Sequence, residues 1–314
     1  MAYLYELEIQ SFHNGEECER YGIGIFRNLK DAQKTAKRYL KEVPGFRDYY
    51  CEYSIAEREL VGEFFSPLVH TYFGWNLDEQ GNEYVIVDGL LYTSIEAAES
   101  ALAAVKDAYD RQEWALQKWQ VGKCEWAEGF EREYPDGQIA PTLPELRKKL
   151  DALSQERSMC SIEFEYSDET PCYLPLSVGD QLFLCAIDDD FLFNGFTVRR
   201  LRDIYELLPP RSGIYQTIAE KEGLTGMPVP DVELTNWKSV FISLKWLDKP
   251  VIVEREYEPE YFRLGRIEDV KKDRVIMRYF DADGVWHDPV EIPYQGITSV
   301  TFDDRYSNIF SKYV

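Results

Sequence analysis

The chain contains two different internal repeats, which restricts it to folds that use a small unit twice. The first pairs residues 3–62 with 69–122. At an offset of 66 residues, F-R-N-L-K-D-A-Q-K-T-A-K-R-Y-L falls on Y-T-S-I-E-A-A-E-S-A-L-A-A-V-K. Asn28 and Ser94 then coincide as helix N-caps, where a short polar side chain accepts from a free backbone N–H. Behind them, Leu29, Ala32, Ala36 and Tyr39 make one apolar stripe, and Ile95, Ala98, Leu102 and Val105 make its counterpart. Ahead of each helix Tyr5, Leu7 and Ile9 alternate, as do Thr71, Phe73 and Trp75, the period of a half-buried strand. A second strand follows each (Gly22 to Phe26; Tyr84 to Tyr92) after the turns H-N-G-E-E and D-E-Q-G-N. A third follows each helix, as E-Y-S-I-A-E-R-E-L-V or E-W-A-L-Q-K-W-Q-V. Each unit reads ββαβ. One such unit of about 60 residues is marginal alone, so two are expected to share a sheet that both helices cover.

A turn-rich linker, E-Y-P-D-G-Q-I-A-P, leads into T-L-P-E, a capping box with Thr142 at the cap and Glu145 three residues on. Leu143, Leu146, Leu150 and Leu153 form the stripe of a short connector helix. The second repeat begins beyond it. L-F-L-C-A-I-D-D-D (182–190) aligns with V-I-M-R-Y-F-D-A-D (275–283), and L-R-D-I-Y-E-L (201–207) with Y-Q-G-I-T-S-V (294–300). After a two-residue slip, Tyr215 and Ile218 match Tyr306 and Ile309. Each copy reads strand, acidic turn, strand, strand, helical turn, a pattern that predicts a small barrel or a strongly bent sheet. G-L-T-G-M-P-V-P-D (223–231) marks the boundary. The expected fold class is therefore α+β: a duplicated ββαβ domain at 1–133, linker and connector helix at 134–159, and β-barrel-like repeats at 160–224 and 225–314.

Two resemblances accompany these repeats. Unit one carries Pro44-Gly45-Phe46 after its helix, and unit two ends on Trp126-Ala127-Glu128-Gly129-Phe130. Residues 1–133 thus resemble a short bacterial ββαβ family with P-G-F after the helix and W-x-E-G-F at its end, the two halves here split between copies. The family brings no assigned activity. The C-terminal copies look like tandem Sm-like or SH3-like small barrels. Where RNA-binding Sm proteins carry Arg-Gly near the last strands, this chain has Tyr294-Gln295-Gly296 and Leu201-Arg202-Asp203.

Charge narrows the partners. The net charge is −22, with 29 acidic and 18 basic residues before Cys160 and 28 and 17 from it onward. Neither half conceals a basic excess, so nucleic acid is an unfavoured ligand, and a basic protein is the expected partner. No stretch is long and apolar enough for a membrane span, and the first residues already alternate like a strand rather than a signal peptide. Six cysteines without C-x-x-C spacing read as free thiols, which points to a cytoplasmic location.

Candidate chemistry is sparse. Cys124, between Lys123 and Glu125 with Glu128 beyond, has carboxylates where a reactive thiolate needs cations; Trp126 and Phe130 read as packing anchors. D-A-D-G (281–284) with Asp288 lacks the ligand set of a calcium loop and reads as a hairpin turn. Asp188, Asp189 and Asp190 occupy the matching turn. His13, His70 and His287 are scattered. No cofactor, metal site or catalytic residue is expected. The aromatic residues Tyr49, Tyr50, Trp119, Trp126, Tyr257 and Tyr261 are the candidate interaction anchors, because Tyr and Trp are enriched at interfaces. The sequence reading is thus a non-enzymatic acidic binder of a basic protein, of the immunity or antitoxin kind. Its rivals are an RNA-binding small barrel using Arg199, Arg200 and Arg202 or Lys271, Lys272 and Arg274, and an unrecognised hydrolase.

Overall fold

A computed structural model of the chain describes residues 2–13, 16–77, 83–87, 89–106, 113–134, 136–167, 169–208, 213–258 and 260–314, with backbone alone at 13, 16, 75–77 and 83–87. The expected turn D-E-Q-G-N and the side chains of His13 and Trp75 lie outside the described residues. The fold is α+β. The chain divides into two compact units, one of 1–11, 17–47 and 51–131, the other of 12–16, 48–50 and 132–314. Among the described residues no helix is long and apolar enough to cross a membrane.

The first unit runs β1 (Ala2–His13), β2 (Glu16–Phe26), α1 (Leu29–Glu42), β3 (Cys51–Val61), β4 (Leu68–Leu77), β5 (Glu83–Val87), β6 (Leu90–Tyr92), α2 (Ile95–Lys106) and β7 (Glu113–Gln120). α1 starts where expected: Asn28 Oδ1 accepts from Asp31 N at 2.9 Å. Ser94 Oγ likewise accepts from Ala97 N at 3.2 Å ahead of α2. Ala32, Ala36 and Tyr39 bury the inner face of α1 over Leu7 and Ile9 of β1. The small alanines let the helix sit close to the sheet.

Strand order is β2-β1-β3-β6-β4-β5, with β7 also paired to β4. β1 therefore lies between β2 and β3, and β4 has β5 and β6 on one edge and β7 on the other. The three-stranded and four-stranded parts join where β3 meets β6 in parallel, Leu60 opposite Leu91. A second core of Leu4, Ile25, Leu60, Val69, Leu91 and Trp119 draws on both parts. Beyond β7 the chain returns to the free edge of β2: Gly122 N donates to Ile25 O at 2.8 Å and Glu125 N to Ile23 O at 2.9 Å. A Cβ at Gly22 would stand 2.9 Å from the Trp119 ring, so glycine is what lets that indole lie against β2.

The second unit opens on α3 (Leu143–Glu156), the predicted connector helix. Glu145 accepts from Thr142 N and Thr142 Oγ1, both at 2.8 Å. Then come β8 (Cys160–Phe164), β9 (Cys172–Val178), β10 (Leu182–Asp189), β11 (Leu192–Arg200), a 3-10 turn Leu201–Asp203, β12 (Ile204–Leu207) and α4 (Ile214–Lys221). The same order follows a second time: α5 (Trp237–Leu247), β13 (Val251–Glu254), β14 (Phe262–Val270), β15 (Arg274–Phe280), β16 (Val290–Pro293), a 3-10 turn Tyr294–Gly296, β17 (Ser299–Phe302) and α6 (Arg305–Phe310).

All ten strands follow one path, β12-β8-β9-β10-β11-β17-β13-β14-β15-β16. β11 and β17 pair antiparallel, with Val198 opposite Val300, so the segments 160–224 and 225–314 share a sheet. One core likewise takes Leu174, Leu184 and Val198 from the first and Val253, Met277 and Val300 from the second. The sequence pattern was blind to this because period-2 alternation shows which face is buried but not which strand lies alongside. α3 packs Leu146, Leu150 and Leu153 against Ile162, Phe183 and Cys185 in a separate cluster.

Candidate functional site

Three of the six expected anchors are interior residues. Tyr49, Tyr50 and Trp119 are buried, which removes them from the surface list. The reason is in their contacts. Tyr49 donates its hydroxyl to Ala140 O at 3.0 Å, with the Arg132 guanidinium 4.3 Å over its ring. Tyr50 stacks on Tyr257 at 3.8 Å, with Arg202 5.3 Å above it. Trp119 fills the first unit's second core. Tyr257 is half-buried, and burial pushes its hydroxyl well above the usual range. Tyr261 is half-buried between Arg255 at 5.1 Å and Arg263 at 4.7 Å. Only Trp126 is substantially exposed, at 48%, lying edge-on to Tyr21 at 5.0 Å.

The segment Cys124–Phe130 is a packing device. Cys124 faces the α1 core, and Arg38 Nη2 reaches its Sγ only at 3.9 Å. Tyr39 donates its hydroxyl to Glu125 O at 2.6 Å. Phe130 stacks on Tyr21 at 4.7 Å and meets Phe46 edge-to-face at 5.0 Å. The acidic turns are self-satisfied. Asp281 accepts from the Asp283 and Val285 amides, each at 3.0 Å, and faces His287 Nε2 at 2.8 Å. Those bonds, that of Val285 foremost, hold its carboxyl below the ordinary Asp range. Asp188 accepts from Phe191 N at 2.8 Å and from the Tyr215 hydroxyl. Among the described residues no group of three or more His, Cys, Asp or Glu gathers to hold a metal ion. His70 belongs to the first unit and His287 to the second.

Five of the six basic residues considered for RNA binding are paired, and the sixth, Lys272, is exposed. Arg199 reaches Glu256 at 3.1 Å and the Tyr166 hydroxyl at 2.6 Å. Arg200 bonds Asp203, and Arg202 stands 3.9 Å from the same carboxylate. Lys271 meets Asp269 at 2.5 Å, while Arg274 meets Asp273 at 3.0 Å and Glu291 at 2.5 Å.

An exposed apolar surface lies elsewhere, on the outer face of α6 and the start of β14. Tyr306 is 53% exposed, Ile309 44% and Phe262 42%. Tyr306 contacts Phe262 at 6.4 Å and Phe310 at 5.6 Å between ring centroids. Asn194, Arg305, Tyr306, Ile309 and Phe310 line a groove there. The repeat alignment had singled out Tyr306 and Ile309 only as copies of Tyr215 and Ile218; sequence alone carries no sign that their face is open. No protein-family model, curated protein or solved structure matches the chain.

Proposed function

We propose that the protein is a non-enzymatic, cytoplasmic interaction module that binds a basic protein, of the immunity or antitoxin kind. It is read as a duplicated ββαβ domain followed by two small-barrel repeats. The carrying observation is an exposed aromatic and aliphatic face, Phe262, Tyr306 and Ile309, on a chain of net charge −22. The acidic field raises the encounter rate with a cationic partner, and apolar anchors that lose their water on contact hold the complex. Nucleic-acid binding has less support, because Arg199, Arg200, Arg202, Lys271 and Arg274 each face a carboxylate. Such cations release few counterions on meeting phosphate.

Affinity capture from a lysate of the native host tests the reading, run at about 50 mM and about 500 mM salt. A basic protein retained at low salt and shed at high salt is expected. Retention of nothing, or retention indifferent to salt, contradicts it.

A further inference from the structure

The groove beside α6 is built, not incidental. Asp304 caps the helix, its carboxylate accepting from Ser307 N at 2.8 Å. Ser307 is fully buried, which fixes Tyr306 and Ile309 outward. Beneath them Phe310 lies flat on Phe280 at 5.2 Å, and Phe280 meets Trp286 at 5.0 Å. The opposite wall is the β10–β11 hairpin. Asn194 Oδ1 accepts from Arg305 N at 3.2 Å. A Cβ at Gly195, which sits at φ +90°, would stand 2.6 Å from Asp304 N. Backbone therefore touches backbone, and the groove is held open before anything enters it.

Its surroundings identify the kind of occupant. Asn194 Nδ2 donates to Asp189 at 3.4 Å, which brings that exposed carboxylate to the lining. Asp190 follows it on the same hairpin tip, and both are exposed. Glu260, exposed, joins Phe262 through Phe262 N to Glu260 O at 3.0 Å. Asp283, exposed, sits in the turn that follows Phe280. Apart from Arg305, the described side chains that line the groove are uncharged. The hairpin edge is thus acidic beside an apolar floor, while Arg305 stands in the lining and Arg263 Nη1 donates to Phe262 O at 2.8 Å.

The earlier copy differs at this face. There Tyr215 and Ala219 of α4 share one buried cluster with Leu224, Val232 and Leu234, supplied by the Pro- and Gly-rich stretch 223–234. The counterpart of Tyr306 is thus partly buried, whereas Tyr306 itself is 53% exposed.

We propose that the α6 groove seats an extended apolar segment flanked by Lys or Arg, belonging to the basic protein partner. The proposal builds on the reading of the chain as an acidic binder and adds the place and the chemistry of contact. Apolar side chains fill the space over Phe310, and the flanking cations face Asp189 and Asp190 on the hairpin tip.

The full chain is titrated into a dye-labelled peptide of alternating Val and Leu with Lys at both ends, followed by anisotropy. A peptide with Glu in place of Lys is the comparison. The Lys peptide is expected to bind saturably and the Glu peptide at least about tenfold more weakly. Ile309→Ser and Tyr306→Ser should each weaken the Lys peptide by about tenfold or more. Trp246→Ser, at an 85% exposed position on α5, should leave binding unchanged. All three sites are exposed, so unchanged thermal unfolding certifies the variants.

Equal binding by wild type and Ile309→Ser, equal binding of the two peptides, or loss with Trp246→Ser overturns the site. So does a concentration-dependent dimer in sedimentation that Ile309→Ser abolishes, because a second copy would then be the occupant. If the site falls while wild type still captures a basic protein at low salt, the proposed function stands without it. If capture also fails, that function falls as well.

Discussion

Phe46 and Phe130 meet edge-to-face with ring centroids 5.0 Å apart, although the sequence places them in different copies of the repeat. Around them the chain is locked backbone to backbone. Phe130 N donates to Pro44 O at 3.3 Å. Gly45 faces Phe130, with its absent Cβ 2.6 Å from the ring. Gly129, at φ +83°, leaves no room for a Cβ beside the Pro44 carbonyl. P-G-F and W-A-E-G-F form one packing motif within the first unit.

The glycine is therefore more critical than the indole. Gly129→Ala forces a side chain both into left-handed backbone and into a carbonyl. It should cost roughly 2 kcal/mol or more of the first unit's stability. Trp126→Ala, at a half-exposed position, should cost only about 1 kcal/mol. Urea unfolding of the two variants checks the order, and a larger loss for Trp126→Ala would contradict it.

The local parts of this fold were legible and the long-range parts were not. Asn28, Ser94 and Thr142 announced their helices because a cap is a contact within three residues. Leu7 and Ile9 announced a strand because alternation is local. The β11–β17 pairing and the Phe46–Phe130 contact join distant stretches, and pattern holds no distance. Burial of Tyr49, Tyr50 and Trp119 failed for the same reason. Each is amphipathic enough for a surface, and only the neighbours that arrive in three dimensions (Ala140, Tyr257, Gly22) place it inside. At the candidate site the residues of α6 could be named, but their exposure could not.

Trp119 gives a direct test of that correction. As a core residue, Trp119→Ala should destabilise the first unit by about 3–5 kcal/mol. As an interface anchor it would weaken binding and spare stability. Chemical denaturation beside partner capture separates the two, and an unchanged unfolding midpoint would restore it to the surface.

Thiol reactivity should follow burial. Cys160 is buried, and desolvation pushes its thiol up to about 12. The same cause moves Cys185 well above the ordinary range. Thiolate is the reactive form, so neither should react with iodoacetamide at neutral pH while exposed Cys18 does. Mass spectrometry of peptides reads the result. Modification of Cys185 in the native protein would place β10 elsewhere.

The Glu145 cap carries a pH dependence with a definite sign. Hydrogen bonds from Thr142 N and its hydroxyl hold the Glu145 carboxyl below its ordinary value. A lowered folded value means stabilisation above the unfolded pKa, about 4.3, and loss as pH falls through the folded value. Glu145→Gln should be less stable than wild type at neutral pH, and the difference should shrink steadily as pH falls below about 4. Unfolding measured over pH 3–7 follows this, and a gap that widens in acid would refute the assigned role.

The central claim is electrostatic capture held by apolar contact, and the association rate of the captured partner with the purified chain tests it most directly. Stopped-flow mixing between about 50 and about 500 mM salt should show the rate falling by about tenfold or more, with dissociation changing far less. An association rate flat across that range would show that the −22 charge plays no part in recognition.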